Sequence, residues 1–191
     1  MRDYAPLKPA PLAPGSRLVG RDPPGPVTLD DPAFAVMTDL REVNAVTTQP
    51  SERVSLAHRT MVERGVRLLF VLADDGSLAG VITSTDVLGE KPMRFAQEHG
   101  ISHADLVVAD IMTPADDLEA IALEEAAQMR VGHVVRTMKA VGRQHLMVAE
   151  DQGRRVRGLF SASQLARQLG VPLETFQVAG TFAEIEAALA H

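Results

Sequence analysis

Apolar and polar positions follow the same order twice along the chain. In the first copy, SLAHRTMVERG at residues 55–65 places its apolar positions on one helical face and ends in glycine, which is typical of a helix terminus. RLLFVLA, an acidic ADDGS turn and LAGVIT follow, which predicts two strands joined as a hairpin. The segment STDVLGE comes next and predicts a second helix.

The second copy repeats this order between residues 131 and 170. VGHVVRTMKAVG predicts a helix, RQHLMVAE and VRGLFS predict strands on either side of a DQGRR turn, and ASQLARQLG predicts the last helix. A short leading strand is expected before each copy, near residues 44–48 and 118–122. The unit is therefore β-α-β-β-α.

Identical residues mark the repeat. They return in the same order, and the offset between the two copies increases slowly along the chain: Met37-Thr38 returns as Met112-Thr113, Arg59-Thr60-Met61 as Arg136-Thr137-Met138, and Gly80 as Gly158. Neither copy can bury its sheet and helix faces alone. We therefore predict an α/β (α+β) fold in which the two repeats pack about a pseudo-twofold axis.

Proline content and the repeat divide the chain into four parts. Seven of the twelve prolines lie in residues 1–26, which favours an extended backbone. The predicted parts are a proline-rich N-terminal arm at 1–32, a first repeat with a linker helix (from Pro92 to His99) at 33–100, a second repeat at 101–170, and a tail at 171–191 that forms a short amphipathic helix.

Composition excludes several classes of function. A net charge of -6 with 4% aromatic residues argues against nucleic-acid binding, and the lack of cysteine excludes disulfides and thiolate metal sites. No apolar run has membrane-spanning length and no signal peptide is evident, so we expect a cytoplasmic protein without a membrane partner. Nucleophile-elbow, Walker and dinucleotide motifs are also lacking, and we expect neither an enzyme, nor a catalytic cofactor, nor a metal site.

The segment GVRLLFVLADDGSLAGVITSTDVL resembles the signature of the cystathionine beta-synthase (CBS) domain, which ends in Gly-x-x-Thr-x-x-Asp. Two tandem copies resemble a Bateman module, and the resemblance spans roughly residues 33–170. The first copy is close to the family pattern. The second copy departs from it at Gln164, which stands at the aspartate position, and Phe70 and Met147 stand where many members have proline.

The resemblance implies a stand-alone regulatory module that binds an adenine nucleotide or adenosyl ligand between its repeats. The ligand would be ATP, ADP, AMP or S-adenosylmethionine, with or without magnesium, and the family also implies a homodimer. The motif's hydroxyl and carboxylate would hold ribose or phosphate. Matched position by position, the candidates are Thr83 and Asp86 in the first copy and Ser161 and Gln164 in the second, with apolar walls from Val46 and Val81 at the first site and Leu159 at the second.

The same motifs also fit a purely structural role. Thr-x-x-Asp and Ser-x-x-Gln before an apolar segment can form capping boxes at helix starts, which need no ligand. Glutamine suits a capping box but lacks the charge that makes a strong acceptor for a diol, which favours the structural role in the second copy. On this alternative the chain is a ligand-free dimerising scaffold or a protein-interaction module with an unidentified partner.

Overall fold

The computed structural model describes residues 10–11, 13, 15–16 and 26–171, so the predicted tail helix and most of the N-terminal arm lie outside the described residues. The strands in this part of the chain are β1 (Thr38–Asp39), β2 (Thr47–Thr48), β3 (Leu68–Leu72), β4 (Leu78–Thr83), β5 (Thr113–Pro114), β6 (Ala120–Ala122), β7 (His145–Glu150) and β8 (Arg155–Ser161). The α-helices are α1 (Val54–Arg64), α2 (Ser84–Leu88), α3 (Lys91–His99), α4 (Val108–Ile111), α5 (Leu123–Ala126), α6 (Val131–Val141) and α7 (Ala162–Gln168).

The predicted repeat unit is confirmed in both copies. β3 and β4 form one hairpin and β7 and β8 the other, while the shorter leading strands β2 and β6 pair in parallel with β3 and β7. α1 ends at Gly65, whose φ of 64° places it in the left-handed region that favours glycine. The linker helix is α3, with Pro92 in its first turn.

The repeats exchange strands. The first sheet has the order β2-β3-β4-β5 and the second the order β1-β8-β7-β6. β5, at the start of the second repeat, pairs with β4, and β1, at the start of the first repeat, pairs with β8. We call β1 and β5 the crossed strands. Sequence analysis did not predict them, although the recurring Met-Thr pair overlaps both.

The crossed strands explain why a glycine recurs in each hairpin. A Cβ atom on Gly80 would lie 2.3 Å from the backbone oxygen of Thr113, and one on Gly158 would lie 2.5 Å from that of Thr38. Real Cβ atoms do not approach so closely, so a side chain at either position would push the crossed strand away.

An ion pair also holds β1 against β8. Arg157 Nε donates to Asp39 Oδ1 at 2.9 Å, and Arg157 Nη2 donates to Asp39 Oδ2. This hydrogen bonding from Arg157 is the main reason that the pKa of Asp39 lies below its usual value. The two-residue strand is therefore fixed by a bidentate contact as well as by the backbone.

Both faces of the central strands are buried, which explains their nearly uninterrupted apolar sequences. One face of β3 and β4 packs on α1 and α4 through Leu69, Val71 and Ile82. The opposite face meets the other sheet in an inter-sheet core, formed by Leu68, Phe70, Val81, Met147 and Leu159. Phe70 and Met147, where many CBS domains have proline, are only 6% and 5% exposed and fill this core. In the described ranges, no helix has the length and apolarity needed to span a bilayer.

Candidate functional site

Two of the clefts between the repeats lie beside helix starts, and Leu68 and His145 line both of these. The first cleft has a volume of about 210 Å³ and lies beside the start of α2. Its walls combine residues of the two repeats, including Val81, Thr83, Asp86, Leu118, Glu119 and Arg143. The second cleft has a volume of about 270 Å³, lies beside the start of α7, and is lined by residues that include Val46, Arg67, Leu159, Ser161, Gln164 and Arg167.

Thr83 and Asp86 form a complete capping box at the start of α2. The backbone N–H and the hydroxyl of Thr83 donate to Asp86 Oδ2 at 2.9 and 2.6 Å, and the N–H of Asp86 donates back to Thr83 Oγ1 at 3.2 Å. Because Thr83 ends a buried strand and Asp86 lies in the following turn, both side chains reach the cleft wall. Local sequence therefore fixes the position of this carboxylate.

The other oxygen of Asp86 also has a partner. Lys91 Nζ donates to Asp86 Oδ1 at 2.7 Å and to the backbone oxygen of Ile111 at 3.2 Å. The Asp86 side chain is 13% exposed, whereas that of Lys91 is 41% exposed. A carboxylate oxygen has two acceptor positions, so Oδ1 retains one for a further donor.

The second copy does not form the predicted capping box, and that interpretation of Ser161 and Gln164 is wrong. Gln164 Oε1 accepts a hydrogen bond from Thr38 Oγ1 on crossed strand β1 at 3.0 Å, and Ser161 Oγ lies 3.1 Å from Ser163 Oγ. Glutamine has one more methylene than aspartate, and its amide extends past the helix start to β1. No side chain in the part of the chain that the structure describes caps the start of α7.

The structure also separates two residues that the sequence assigned to one site. Val81 lines the first cleft, whereas Val46 lines the second, together with Leu159, Ser161 and Gln164. The chain just before β2 faces the second repeat. Each cleft lies beside the last helix of one repeat and is lined on its other side by residues that precede the leading strand of the other repeat. The corresponding wall of the first cleft comes from Leu118 and Glu119, which lie just before β6.

Comparison with known proteins agrees with this architecture. The sequence profile of the CBS domain matches residues 23–92. A conserved protein from Pyrococcus horikoshii has a similar structure, with 27% sequence identity and a TM-score of 0.56 over 78% of this chain and 99% of that one. The chain therefore contains a CBS domain. No curated protein matches it at a significant level.

Two further structures show that this fold is that of a CBS pair. CBSX2, from Arabidopsis thaliana, was crystallised with AMP and is 23% identical, with a TM-score of 0.51 over 72% of this chain and 94% of that one. A CBS domain pair in complex with 5′-methylthioadenosine and S-adenosyl-L-methionine is 20% identical, with a TM-score of 0.50 over 76% of this chain and 98% of that one. The degraded second repeat is thus a CBS repeat in fold, as its sequence indicated.

His145, in the wall shared by the two clefts of this CBS pair, is neutral at neutral pH. Desolvation and, to a smaller extent, the positive charge of Arg67 lower its pKa to about 4, although the charge of Asp86 acts in the opposite direction. His145 begins β7 and pairs with Ser161, just as Leu68 begins β3 and pairs with Thr83. The shared wall therefore presents apolar Leu68 from the first repeat and neutral, polar His145 from the second.

Sequence analysis missed the two arginines of the second cleft. Arg67 lies in the loop between α1 and β3, and Arg167 lies near the end of α7. The two residues are 100 positions apart, and only the packing of one repeat on the other brings them into one cleft. Among the described residues, no group of three or more histidine or acidic side chains could hold a metal ion.

Proposed function

We propose that this CBS pair is a regulatory, non-catalytic module that binds an adenine nucleotide or adenosyl ligand in the clefts between its repeats. The ligand is ATP, ADP, AMP or S-adenosylmethionine, with or without magnesium. The observation that carries the proposal is the placement of the Asp86 carboxylate and the Thr83 hydroxyl on the wall of the first cleft, next to apolar Val81. The complexes of similar CBS pairs with AMP and with S-adenosyl-L-methionine support the ligand class.

The chemistry of Asp86 suits a ribose. Oδ1 has one acceptor position left beside Lys91, and it gains a second if the half-exposed lysine turns toward solvent. A vicinal diol then donates two charge-assisted hydrogen bonds to Asp86, while the base lies against Val81 and Leu118. Oδ2 stays bonded to Thr83, which holds the carboxylate in place.

Signalling follows from the composition of the walls. A ligand in the first cleft contacts Thr83 and Asp86 of one repeat and Arg143 of the other, so its binding favours one relative position of the two repeats. The output is then a change in conformation or in the assembly of a homodimer, which an unidentified protein partner would detect.

A thermal-shift panel with the candidate ligands and NAD, with and without magnesium, tests this function. A ligand at about 100 times its Kd adds about 2.7 kcal/mol to the free energy of unfolding and raises Tm by several degrees. Asp86→Asn keeps an acceptor for the Thr83 N–H but removes the charge, and it should abolish the shift. Sedimentation with and without the active ligand then reports on assembly.

Asp110→Asn is the matched control. Asp110 Oδ2 accepts from the backbone N–H of Val107 at 2.9 Å at the start of α4, which is the same type of bond, and Asp110 lines neither cleft. Both variants should lose no more than about 1 kcal/mol of stability, the usual value of a cap. If folded Asp86→Asn retained full ligand affinity, this assignment of the first cleft would be wrong.

One observation favours the scaffold alternative. The capping box at Thr83 is complete and Asp86 already pairs with Lys91, so the motif is stable without a ligand. A scaffold would show no thermal shift with any adenosyl compound at millimolar concentration and would assemble to the same extent in every sample. The panel therefore separates the two functions.

A further inference from the structure

A groove on the helical side of the first repeat presents apolar side chains to solvent. This outer groove, of about 660 Å³, is lined by residues of α1 and α2 and by one residue of α7. Val62 on α1 and Leu88 on α2 both line it, and each is 68% exposed although its side chain is large and apolar. None of the five residues of α2 is buried. Within the described part of the chain, this apolar surface has no cover.

The charged side chains of the outer groove are basic. Its described lining contains the guanidinium groups of Arg67 and Arg167, together with His58, and includes no carboxylate. Desolvation lowers the pKa of Arg67, and the positive charge of exposed Arg167 adds a smaller effect in the same direction. The two guanidinium groups are therefore close enough to repel each other, and a carboxylate beside them would be favourable.

The chain leaves the second repeat beside this groove. α7 ends in a turn at Gly170, whose φ is 71°, and the N–H of Val171 donates to the carbonyl oxygen of Ala166 at 2.8 Å. Val171 is buried in the core of the second repeat. The rest of the tail, residues 172–191, therefore starts from a fixed point four positions after Arg167, which lines the outer groove.

The sequence of this tail complements the groove in both polarity and charge. Residues 172–191 contain three glutamates and no lysine or arginine. From Thr181 onward the spacing predicts a short helix whose large apolar residues share one face: Phe182, Ile185 and Leu189. On such a helix Glu186 lies at the border of that face. Amphipathic helices bind apolar grooves through anchors at this spacing.

We propose that residues 181–190 dock as a helix in the outer groove of their own chain, with the apolar face against Val62 and Leu88 and Glu186 beside Arg167. The nine residues between Val171 and Thr181 span up to about 30 Å when extended, which is long enough to bring the helix from the end of α7 to the groove. Docking covers the exposed apolar surface and places an acidic segment against a basic lining. The inference does not depend on a ligand in either cleft.

Amide hydrogen exchange of the full chain tests the docking, and the first pair of variants changes the predicted helix alone. In the wild type, amides of residues 181–190 should exchange at least about tenfold more slowly than in an unstructured peptide. Ile185→Asp puts a charge on the apolar face, so this protection should be lost and exchange in α2 should speed up. Ala187→Asp adds the same charge on the opposite face and should exchange like the wild type. Unchanged protection in β3 and β7 shows that each variant is folded.

A charge-reversal cycle tests the contact between Glu186 and Arg167. Arg167→Glu and Glu186→Arg should each speed exchange of the tail about threefold, as expected for losing an exposed ion pair. The double variant should restore wild-type protection, because the pair is then re-formed with its charges exchanged. Arg136→Glu, at an exposed position of α6 outside the outer groove, should leave the tail protected.

The protection should also be independent of protein concentration, because the contact is made within one chain. Tail amides that exchange as fast as those of an unstructured peptide would overturn the inference, as would equal exchange in Ile185→Asp and Ala187→Asp. Protection of α2 that rises with protein concentration would show that a second copy covers the groove instead. A double variant that stays as unprotected as Arg167→Glu would refute the placement of Glu186.

Discussion

His145, the partly buried histidine between the clefts, should make the protein less stable in mild acid. His145 has a pKa of about 4 in the folded protein against 6.5 as its ordinary value, so the unfolded chain takes up a proton that the folded protein excludes. The contribution of neutral His145 is complete above pH 6.5 and is lost as the pH falls from 6.5 to 4. At about 1.4 kcal/mol per pKa unit it amounts to at most about 3 kcal/mol, because the ring still lines two open clefts.

Urea unfolding at several pH values between 7 and 4 measures this contribution. His145→Leu copies Leu68, the residue at the same register of the other repeat, and removes the titrating group. The wild type should lose up to about 3 kcal/mol more than His145→Leu over this range. His103→Gln changes an exposed histidine and should follow the wild-type curve. Parallel curves for the wild type and His145→Leu would refute the reasoning.

Two further predictions concern the crossed strands. Gly80→Ala would place a methyl group against the Thr113 backbone and should cost on the order of 1–3 kcal/mol in urea unfolding, as should Gly158→Ala; wild-type stability in either variant would contradict the close approach. Arg157→Met should speed amide hydrogen exchange in β1. The pKa of Asp39 is lowered in the folded protein, so the Arg157–Asp39 contact of the wild type should weaken as the pH falls below about 4. Unchanged exchange in Arg157→Met would show that the backbone pairing alone holds β1.

Local sequence was sufficient to predict most of the secondary structure. The apolar run at Leu68–Leu72, the Asp75-Gly76 turn and the helix end at Gly65 each depend on neighbouring residues, and each lies where the pattern placed it. The capping box of Thr83 and Asp86 spans only four residues and was predicted for the same reason.

The features that sequence did not reveal depend on contacts between distant residues. A two-residue strand such as β1 has no periodicity to detect, and its partner Leu159 lies more than a hundred residues away. Val46 lies just before β2 in the first repeat, and the cleft that it lines depends on how the second repeat packs on that sheet, which sequence spacing does not show. The charge of the second cleft depends on Arg67 and Arg167, whose association no spacing predicts.

Strand exchange has a consequence for the order in which the chain can fold during synthesis. The first sheet is complete once Pro114 has left the ribosome, because its last strand ends at that residue. β1 was made earlier than all of them, yet it has no partner until β8 emerges and Leu159 is available. Contacts of such long sequence separation form late and slowly. A nascent chain that stalls between Pro114 and Leu159 therefore carries the finished first sheet while β1 still has no partner strand.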